Sequence, residues 1–305
     1  MNVCRRLSPL LLAAALGVGC SEAAAPATPP LDTPPAATVT PAPTASPTSS
    51  PVGVPVLPAH TATPDPAVPR LQADELPVLR NLFARNLPYE QPGCRNPKGP
   101  PPDILCDPRG RVTYIDASGL GLTTLPPEIG RLTSLQFLDL SGNDLTSLPP
   151  EITQLTALKL LRLSDNQLTA LPEEIGRLGA LTDLEIRGNQ LASLPPQTYW
   201  LSRLAVLDLF DNRLTSIDPA IGELTSLQTL NLAGNYLTRL PAGMGRLSQL
   251  RELDVSYNPL TALPPDIARL SNLKRLGVAE TKITSLPPAI CAKFTSDIDP
   301  PGLCH

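Results

Sequence analysis

Few side chains in this sequence are suited to acid–base or metal chemistry. Its 305 residues include only two histidines, His60 in a proline-rich tract and His305 at the last position. Ser/His/Asp triads, Cys/His pairs and histidine-rich metal sites all need a well-positioned imidazole. The formal net charge of −4 also disfavours a basic surface for phosphate groups. The sequence therefore predicts no enzyme, no cofactor, no metal centre and no nucleic-acid partner.

Carboxylates remain as candidates for chemistry, and they recur at a fixed spacing. Position five of successive 23-residue segments is Asp116, Asp139, Arg162, Glu185, Asp208, Asn231, Asp254 and Gly277. Two carboxylates about 5 Å apart can hydrolyse a glycosidic bond, and Glu185 with Asp208 would have this separation on adjacent strands. Asp116 and Asp139 would be placed to bridge a cation. We expect neither activity, because an open sheet does not dehydrate one acid and too few oxygen ligands converge on a cation.

The elements that position these carboxylates are set by an eightfold repeat. Its units open at Val112, Leu135, Leu158, Leu181, Leu204, Leu227, Leu250 and Leu273. Their shared pattern is L-x-x-L-x-L-x-x-N-x-L-x-x-L-P-x-x-I-x-x-L. The leucines at positions four and six alternate with other residues at period two, which predicts a short strand with one buried face. A single unit cannot bury its own leucines, so we expect neighbouring units to stack. The Asn at position nine can satisfy backbone donors and acceptors where the strand ends.

This pattern resembles the leucine-rich repeat family. The resemblance implies an α/β fold, a leucine-rich-repeat solenoid with the right-handed β-α superhelix of a horseshoe. Its concave side would be a parallel sheet. The Leu-Pro pair of each unit would end the inner stretch and start a single helical or 3₁₀ turn on the convex side. Residues 112–290 would form the eight repeats, between an N-terminal cap at 71–111 and a C-terminal cap at 291–305.

The N-terminus has the layout of a secretory signal. Arg5 and Arg6 precede an apolar run that is too short to span a bilayer, and residues 1–19 are predicted to be removed. The small residues that lead to Cys20 resemble a bacterial lipoprotein signal, in which this cysteine becomes the lipidated first residue. The resemblance implies an exported protein at the outer membrane or cell surface, attached to the membrane only through the N-terminal lipid. An ordinary cleavage site at 23–25 is the alternative, and it implies a secreted or periplasmic protein.

A tether is predicted between this cysteine and the cap. Residues 21–70 hold 14 of the 39 prolines and show no apolar period. Proline removes backbone donors and fixes φ, so we expect 20–70 to be disordered and extended. Residues 71–90 place leucines at helical spacing, with Asp74 as the N-cap and Pro77 in the first turn.

Four further cysteines bracket the repeats, and stacking of the repeats would keep the two ends apart. The expected disulfides are therefore Cys94–Cys106 and Cys291–Cys304, with unpaired thiols as the alternative.

The predicted concave face carries the candidate ligand-binding residues. Positions three, five, seven and eight of each unit should point into it. The candidates are Tyr114, Asp116, Phe137, Asp139, Arg162, Glu185, Asp208, Phe210, Asp254 and Tyr257. Aromatic side chains beside charges are typical of recognition surfaces. A solvated sheet face without a ligand is the alternative interpretation.

The fourth unit departs from the repeat on its convex side. Thr198, Tyr199 and Trp200 stand where Ile, Gly and Arg are usual, and Trp200 is the only tryptophan. It is either exposed as a second contact site or repacked over the missing Ile.

These patterns together predict a non-catalytic, surface-anchored lipoprotein that recognises a protein or glycan through its concave face. The acidic column favours a basic partner. The alternative is an envelope-organising spacer without a specific ligand.

Overall fold

The computed structural model describes residues 71–83, 94, 103–292, 298–299 and 303. The predicted signal peptide, Cys20, the tether, His60, Cys304 and His305 lie outside the described residues. The expectations that concern them, and the boundaries of the predicted domains, therefore stay predictions.

Ten strands of the described part form one sheet, and they follow each other in chain order. They are β1 (Asp103–Cys106), β2 (Val112–Asp116), β3 (Phe137–Asp139), β4 (Leu160–Arg162), β5 (Asp183–Glu185), β6 (Val206–Asp208), β7 (Thr229–Asn231), β8 (Glu252–Asp254), β9 (Arg275–Gly277) and β10 (Ile298–Asp299). Strand β1 pairs antiparallel with β2, and every later pair is parallel. The predicted stack of repeats with a parallel sheet is confirmed.

Each repeat returns through one short 3₁₀ helix, as the Leu-Pro step predicts. These helices are Pro127–Arg131, Pro150–Gln154, Glu173–Arg177, Pro196–Trp200, Pro219–Glu223, Ala242–Arg246 and Pro265–Arg269. An α-helix, α2 (Pro288–Cys291), takes this place in the last repeat. Proline suits the first turn because its fixed φ is compatible with the helix and its missing N–H would have no partner there.

The core lies between the sheet and the 3₁₀ helices and consists of stacked leucine columns. The middle residue of each strand is buried, as Leu138, Leu161 and Leu184 show, and the isoleucines of the 3₁₀ helices meet it from the other side. One hydrophobic cluster runs from Val78 to Ile290. Repeats therefore share their cores, which is why no repeat is stable alone.

The asparagine at position nine connects adjacent repeats. Asn166 donates from Nδ2 to the carbonyls of Leu140 and Leu163 at 2.9 and 3.0 Å, and its Oδ1 accepts from the Leu145 amide at 3.0 Å. The same pattern recurs at Asn143, Asn189, Asn212, Asn235 and Asn258. The predicted use of the amide is confirmed, and it explains why these side chains are buried.

The N-terminal end is covered by helix α1 (Leu76–Phe83), which buries Val78, Leu79, Leu82 and Phe83. The helix begins one residue later than expected, so Glu75 rather than Asp74 precedes it. Glu75 is fully buried and accepts the Val112 amide at 2.8 Å. Burial raises the pKa of its carboxyl.

A disulfide joins Cys94 to Cys106, as predicted. Cys291 is also disulfide-bonded. Cys304, its predicted partner, lies outside the described residues, so that pairing stays a prediction.

Candidate functional site

The outward side of the sheet is formed by two columns of side chains, and we call this surface the sheet face. Position three contributes Tyr114, Phe137, Leu160, Asp183, Val206, Thr229, Glu252 and Arg275. Position five contributes Asp116, Asp139, Arg162, Glu185, Asp208, Asn231, Asp254 and Gly277. Parallel pairing puts each member next to the residue 23 positions later, about 4.8 Å away. The sheet face thus corresponds to the predicted concave face.

Two aromatic rings are stacked at the N-terminal end of the sheet face. The ring centroids of Tyr114 and Phe137 are 4.3 Å apart, and the planes differ by 9°. The guanidinium of Arg162 lies 5.5 Å from the Phe137 centroid. We call these three side chains the aromatic stack. Stacked rings and a cation over a ring each add to the area that they bury.

Arg162 also joins two carboxylates of the position-five column. Its Nε is 3.1 Å from Glu185 Oε2, and its Nη1 is 3.5 Å from Asp139 Oδ2. Burial opposes the charge of Arg162, but Glu185 and Asp139 outweigh that effect and raise its pKa. Burial, with the charges of Asp116 and Asp139, raises the pKa of Tyr114. The structure thus brings five of the predicted residues into one connected group.

Most position-five acids have a backbone role that sequence reasoning missed. In Asp116, Asp139, Asp208 and Asp254, Oδ1 accepts the amide of the residue two positions later, at 2.9 to 3.0 Å. Asn231 does the same toward Ala233 at 3.1 Å. Short polar side chains often accept such a bond where a strand turns. Asn231 was the sequence signal for this backbone role. An uncharged residue in the same column shows that position five needs a side-chain oxygen rather than a charge.

The carboxylates considered for catalysis or cation binding have other partners in the structure. Glu185 and Asp208 do lie side by side on β5 and β6. Glu185, however, pairs with Arg162, and Asp208 accepts the Phe210 amide. Within the described ranges, no group of three or more His, Cys, Asp or Glu side chains is placed to hold a metal ion.

Position eight of each repeat has a left-handed backbone. Glycine occupies it at 119, 142, 188 and 234, whereas Asp165, Asp211, Tyr257 and Glu280 have φ between 51° and 55°. Only the tyrosine is bulky, and a left-handed conformation is costly for such a residue. Tyr257 is 61% exposed. It therefore stands at the edge of the sheet face, just beyond strand β8.

Two further aromatics of the described residues are exposed, one in each of the two repeats before that of Tyr257. Phe210 is 38% exposed, and its Cε2 lies 3.5 Å from the point that a Cβ of Gly234 would occupy. Tyr236 is 55% exposed and was not among the predicted residues. We call Phe210, Tyr236 and Tyr257 the rim aromatics. Their common feature in sequence is a position just after the strand of three successive repeats.

A cavity of about 300 Å³ opens at the C-terminal end of the sheet face. It is lined by Thr229, Leu230, Asn231, Glu252, Leu253, Asp254, Arg275, Leu276 and Gly277. Gly277 is the one position-five residue without a side chain. A Cβ at Gly277 would meet Asp254 Oδ1 at 2.4 Å, so any larger residue would displace that carboxylate. Only Asp254 of this lining was predicted.

The unusual segment of the fourth repeat leaves Trp200 69% exposed, so this ring is not repacked over the missing Ile, and a second contact site there stays a prediction. Thr198 occupies the buried isoleucine position instead, and Tyr199 is buried beside it. Burial raises the pKa of Tyr199 to about 12. Where other repeats have glycine, a Cβ would meet the next repeat's backbone carbonyl, as at Gly176 and Gly222. Tyr199 stands at this glycine position. Together with Asp218 and Arg239 it lines a groove of about 530 Å³.

Comparisons with known proteins agree with this architecture. A family model described as "Leucine-rich repeat region" matches residues 152–255, and one described as "Leucine Rich Repeat" matches 134–155 and 249–270. Among curated proteins, none matches the chain.

Two solved structures are similar to the chain. One, a leucine-rich-repeat protein of Leptospira interrogans, is 37% identical with a TM-score of 0.57. The match covers 58% of this chain and 45% of that protein. The other, a TDR receptor, is 29% identical with a TM-score of 0.48, and the match covers 59% of this chain and 37% of the receptor. The chain thus spans less than half the length of either.

Proposed function

The chain carries leucine-rich repeats, and on this premise we propose that it is a non-catalytic recognition protein that binds a protein partner through its sheet face. Proteins of this family are in general binding scaffolds rather than enzymes. The observation that carries the proposal is the aromatic stack. Tyr114 and Phe137 expose part of their rings on the solvent side of the sheet, where the leucine core does not need them. Rigid aromatic side chains beside an arginine are the groups that most often dominate the energy of a protein interface.

The position-five column favours a partner with basic groups. Asp116, Asp139, Glu185, Asp208 and Asp254 lie along one line of the sheet face, and Arg162 is the one cation in that column. Such a surface speeds the encounter with a positively charged partner and rejects nucleic acid. A glycan would have to use the same rings and carboxylates.

The proposal places this module outside the cytoplasm. A disulfide such as Cys94–Cys106 persists in oxidising compartments. None of the helices in the described ranges combines the length and the hydropathy of a membrane span. The anchor in this proposal is a lipid on Cys20, followed by the tether of residues 21–70.

The binding proposal is tested by quantitative capture from envelope and host extracts. The variant combines Phe137→Ala with Asp208→Asn, because Asn keeps the oxygen that accepts the Phe210 amide. The matched control is Trp200→Ala, which removes an exposed aromatic from the convex side. We expect the sheet-face variant to lose at least about tenfold in the capture of the same partner, while the control captures it normally. Equal capture by all three folded proteins would support the spacer function instead.

The anchor is tested by labelling cells with a fatty-acid analogue. Label should enter the wild-type chain and the Cys4→Ala variant but not the Cys20→Ala variant. Label that survives in Cys20→Ala would contradict a lipid at this cysteine.

A further inference from the structure

The cavity beside Gly277 offers a binding site of defined chemistry, which differs from the rest of the sheet face. Positions three and five carry side chains in every repeat except at Gly277. A cavity of about 300 Å³ is lined by all three residues of each of the strands β7, β8 and β9, and Gly277 is part of that lining. That volume is at the small end of ligand pockets and suits one long side chain rather than a cofactor.

The polar groups of this cavity are mainly acceptors. Asp254 and Glu252 contribute two carboxylates, and Thr229 and Asn231 add neutral oxygens. The turn uses one acceptor site of Asp254, through Ser256, and a carboxylate has about four such sites. Arg275 is the one cation, and its Nη1 lies 3.4 Å from Glu252 Oε1. Its side chain is 75% exposed, so this ion pair is screened by solvent and yields readily to a competing cation.

We propose that this cavity binds the basic side chain, lysine or arginine, of a partner polypeptide. An ammonium or guanidinium group has donors and no acceptor, which complements the oxygens of Asp254, Glu252 and Asn231. The apolar stem of such a side chain can lie along the strands while its charged head reaches the carboxylates. The inference rests on the proposed function, because it names the chemical group by which the partner would be recognised.

The arrangement favours a basic side chain over the two other small ligands that a charged cavity can take. A metal ion would need three or more converging ligands, and no such group occurs within the described ranges. A phosphate or carboxylate would find one guanidinium that already pairs with Glu252, next to the second carboxylate of Asp254.

The test is an NMR titration of the full chain with Nα-acetyl-lysine N-methylamide, followed at the Gly277 amide. Its neutral isostere, the norleucine derivative, is the control ligand. The key variant is Asp254→Asn, which removes the charge and keeps the oxygen for Ser256, as Asn231 already does for Ala233. The matched control is Asp116→Asn, which makes the same change at the other end of the column, outside the cavity.

We expect the lysine probe to shift the Gly277 amide and the norleucine probe to leave it unchanged. Asp254→Asn should weaken the lysine probe about tenfold, and Asp116→Asn less than about twofold. Equal weakening by both variants would mean diffuse attraction and would overturn the inference, as would a Gly277 shift that inorganic phosphate reproduces.

This experiment is separate from the test of the proposed function. Capture of a partner is measured with changes at Phe137 and Asp208, neither of which lines the cavity. If the lysine probe fails to bind while those changes still abolish capture, the proposed function stands and the cavity does not hold a basic side chain.

Discussion

The two ends of the sheet face share one backbone and differ in how their side chains interact. At the N-terminal end, on β2 to β5, Tyr114 stacks on Phe137, and Arg162 joins Phe137, Asp139 and Glu185. At the C-terminal end, β7 to β9 line a cavity, and Arg275 forms a solvent-exposed ion pair with Glu252. The N-terminal end is therefore held by contacts among its own side chains. At the C-terminal end the ion pair is exposed, and Asp254 keeps acceptor sites for solvent or a ligand.

This difference shows what a repeat scaffold leaves to the sequence. Parallel pairing fixes which residues are neighbours, because residues 23 positions apart always meet in the ladder. Whether those neighbours satisfy one another depends only on their types. A ring beside a ring, or an arginine beside an acid, forms an ordered surface. A glycine beside an acid gives the carboxylate the room that a Cβ would take.

The comparison is most strongly tested by removing one aromatic ring at each end. Phe137→Ala removes a stacked, half-buried ring and the surface on which Arg162 lies, so we expect a loss of about 2 kcal/mol in unfolding free energy. Phe210→Ala removes a more exposed ring that covers Gly234, and we expect about 0.5 kcal/mol.

Urea denaturation followed by circular dichroism measures both variants against the wild type. Equal losses would show that the N-terminal end is not specially ordered, and the comparison would fail. A larger loss for Phe137→Ala, together with normal secondary structure, would show that the N-terminal end is the more ordered of the two.

Backbone strain at position eight gives a smaller and opposite effect at the two ends. Tyr257→Gly relieves a left-handed tyrosine, and we expect a gain of about 1 kcal/mol. Gly142→Ala introduces the same strain at the N-terminal end, where its Cβ would meet nothing closer than 3.8 Å, and we expect a loss of about 1 kcal/mol. Thermal unfolding measures both.

Tyr257 lowers stability and is largely exposed, so folding does not explain its presence and a functional role is the hypothesis. If Tyr257→Gly leaves the melting temperature unchanged, this reason to associate Tyr257 with binding disappears. If the melting temperature rises while capture of the partner falls, Tyr257 belongs to the binding surface.

The fold could be predicted from the sequence because every repeat gives the same information. The apolar residues at positions four and six recur in eight units, the Leu-Pro step in seven and the asparagine in six, and each follows from local chemistry. So many copies in register rule out chance. The 3₁₀ helices and the two columns of the sheet face followed directly. The start of helix α1 was one residue off, because Asp74 and Glu75 are both reasonable residues before a helix and only packing against Val112 selects Glu75.

The candidate site was less predictable, since its features depend on contacts between different repeats. The position of each residue in its repeat predicted which side chains share the sheet face. It did not predict that Arg162 pairs with both Glu185 and Asp139. Asp208 and Asp254 were interpreted only as charged residues, and the backbone amides that they accept were not predicted. The cavity is lined by Gly277 as well as by polar residues, and a search for reactive residues passes over a glycine. The burial of Tyr199 beside an exposed Trp200 depends on the shape of the neighbouring repeat.

The smallest expected difference concerns the two arginines of the sheet face. Arg162→Ala leaves Asp139 and Glu185 without their shared cation and removes a contact with Phe137, so we expect a loss of about 0.5 to 1 kcal/mol. This figure is already discounted because the Arg162 side chain is 38% exposed. Arg275→Ala removes a pair whose partners are 75% and 47% exposed, and we expect a change within about 0.3 kcal/mol.

Thermal unfolding at low and at high salt distinguishes the effects of these two arginine variants. Salt should reduce the Arg162 effect only partly, because the contact with the Phe137 ring does not depend on ionic strength alone. An Arg162 effect that salt abolishes would show that the N-terminal end is held by screened surface charges, as the C-terminal end is, and the two ends would then differ only in the cavity.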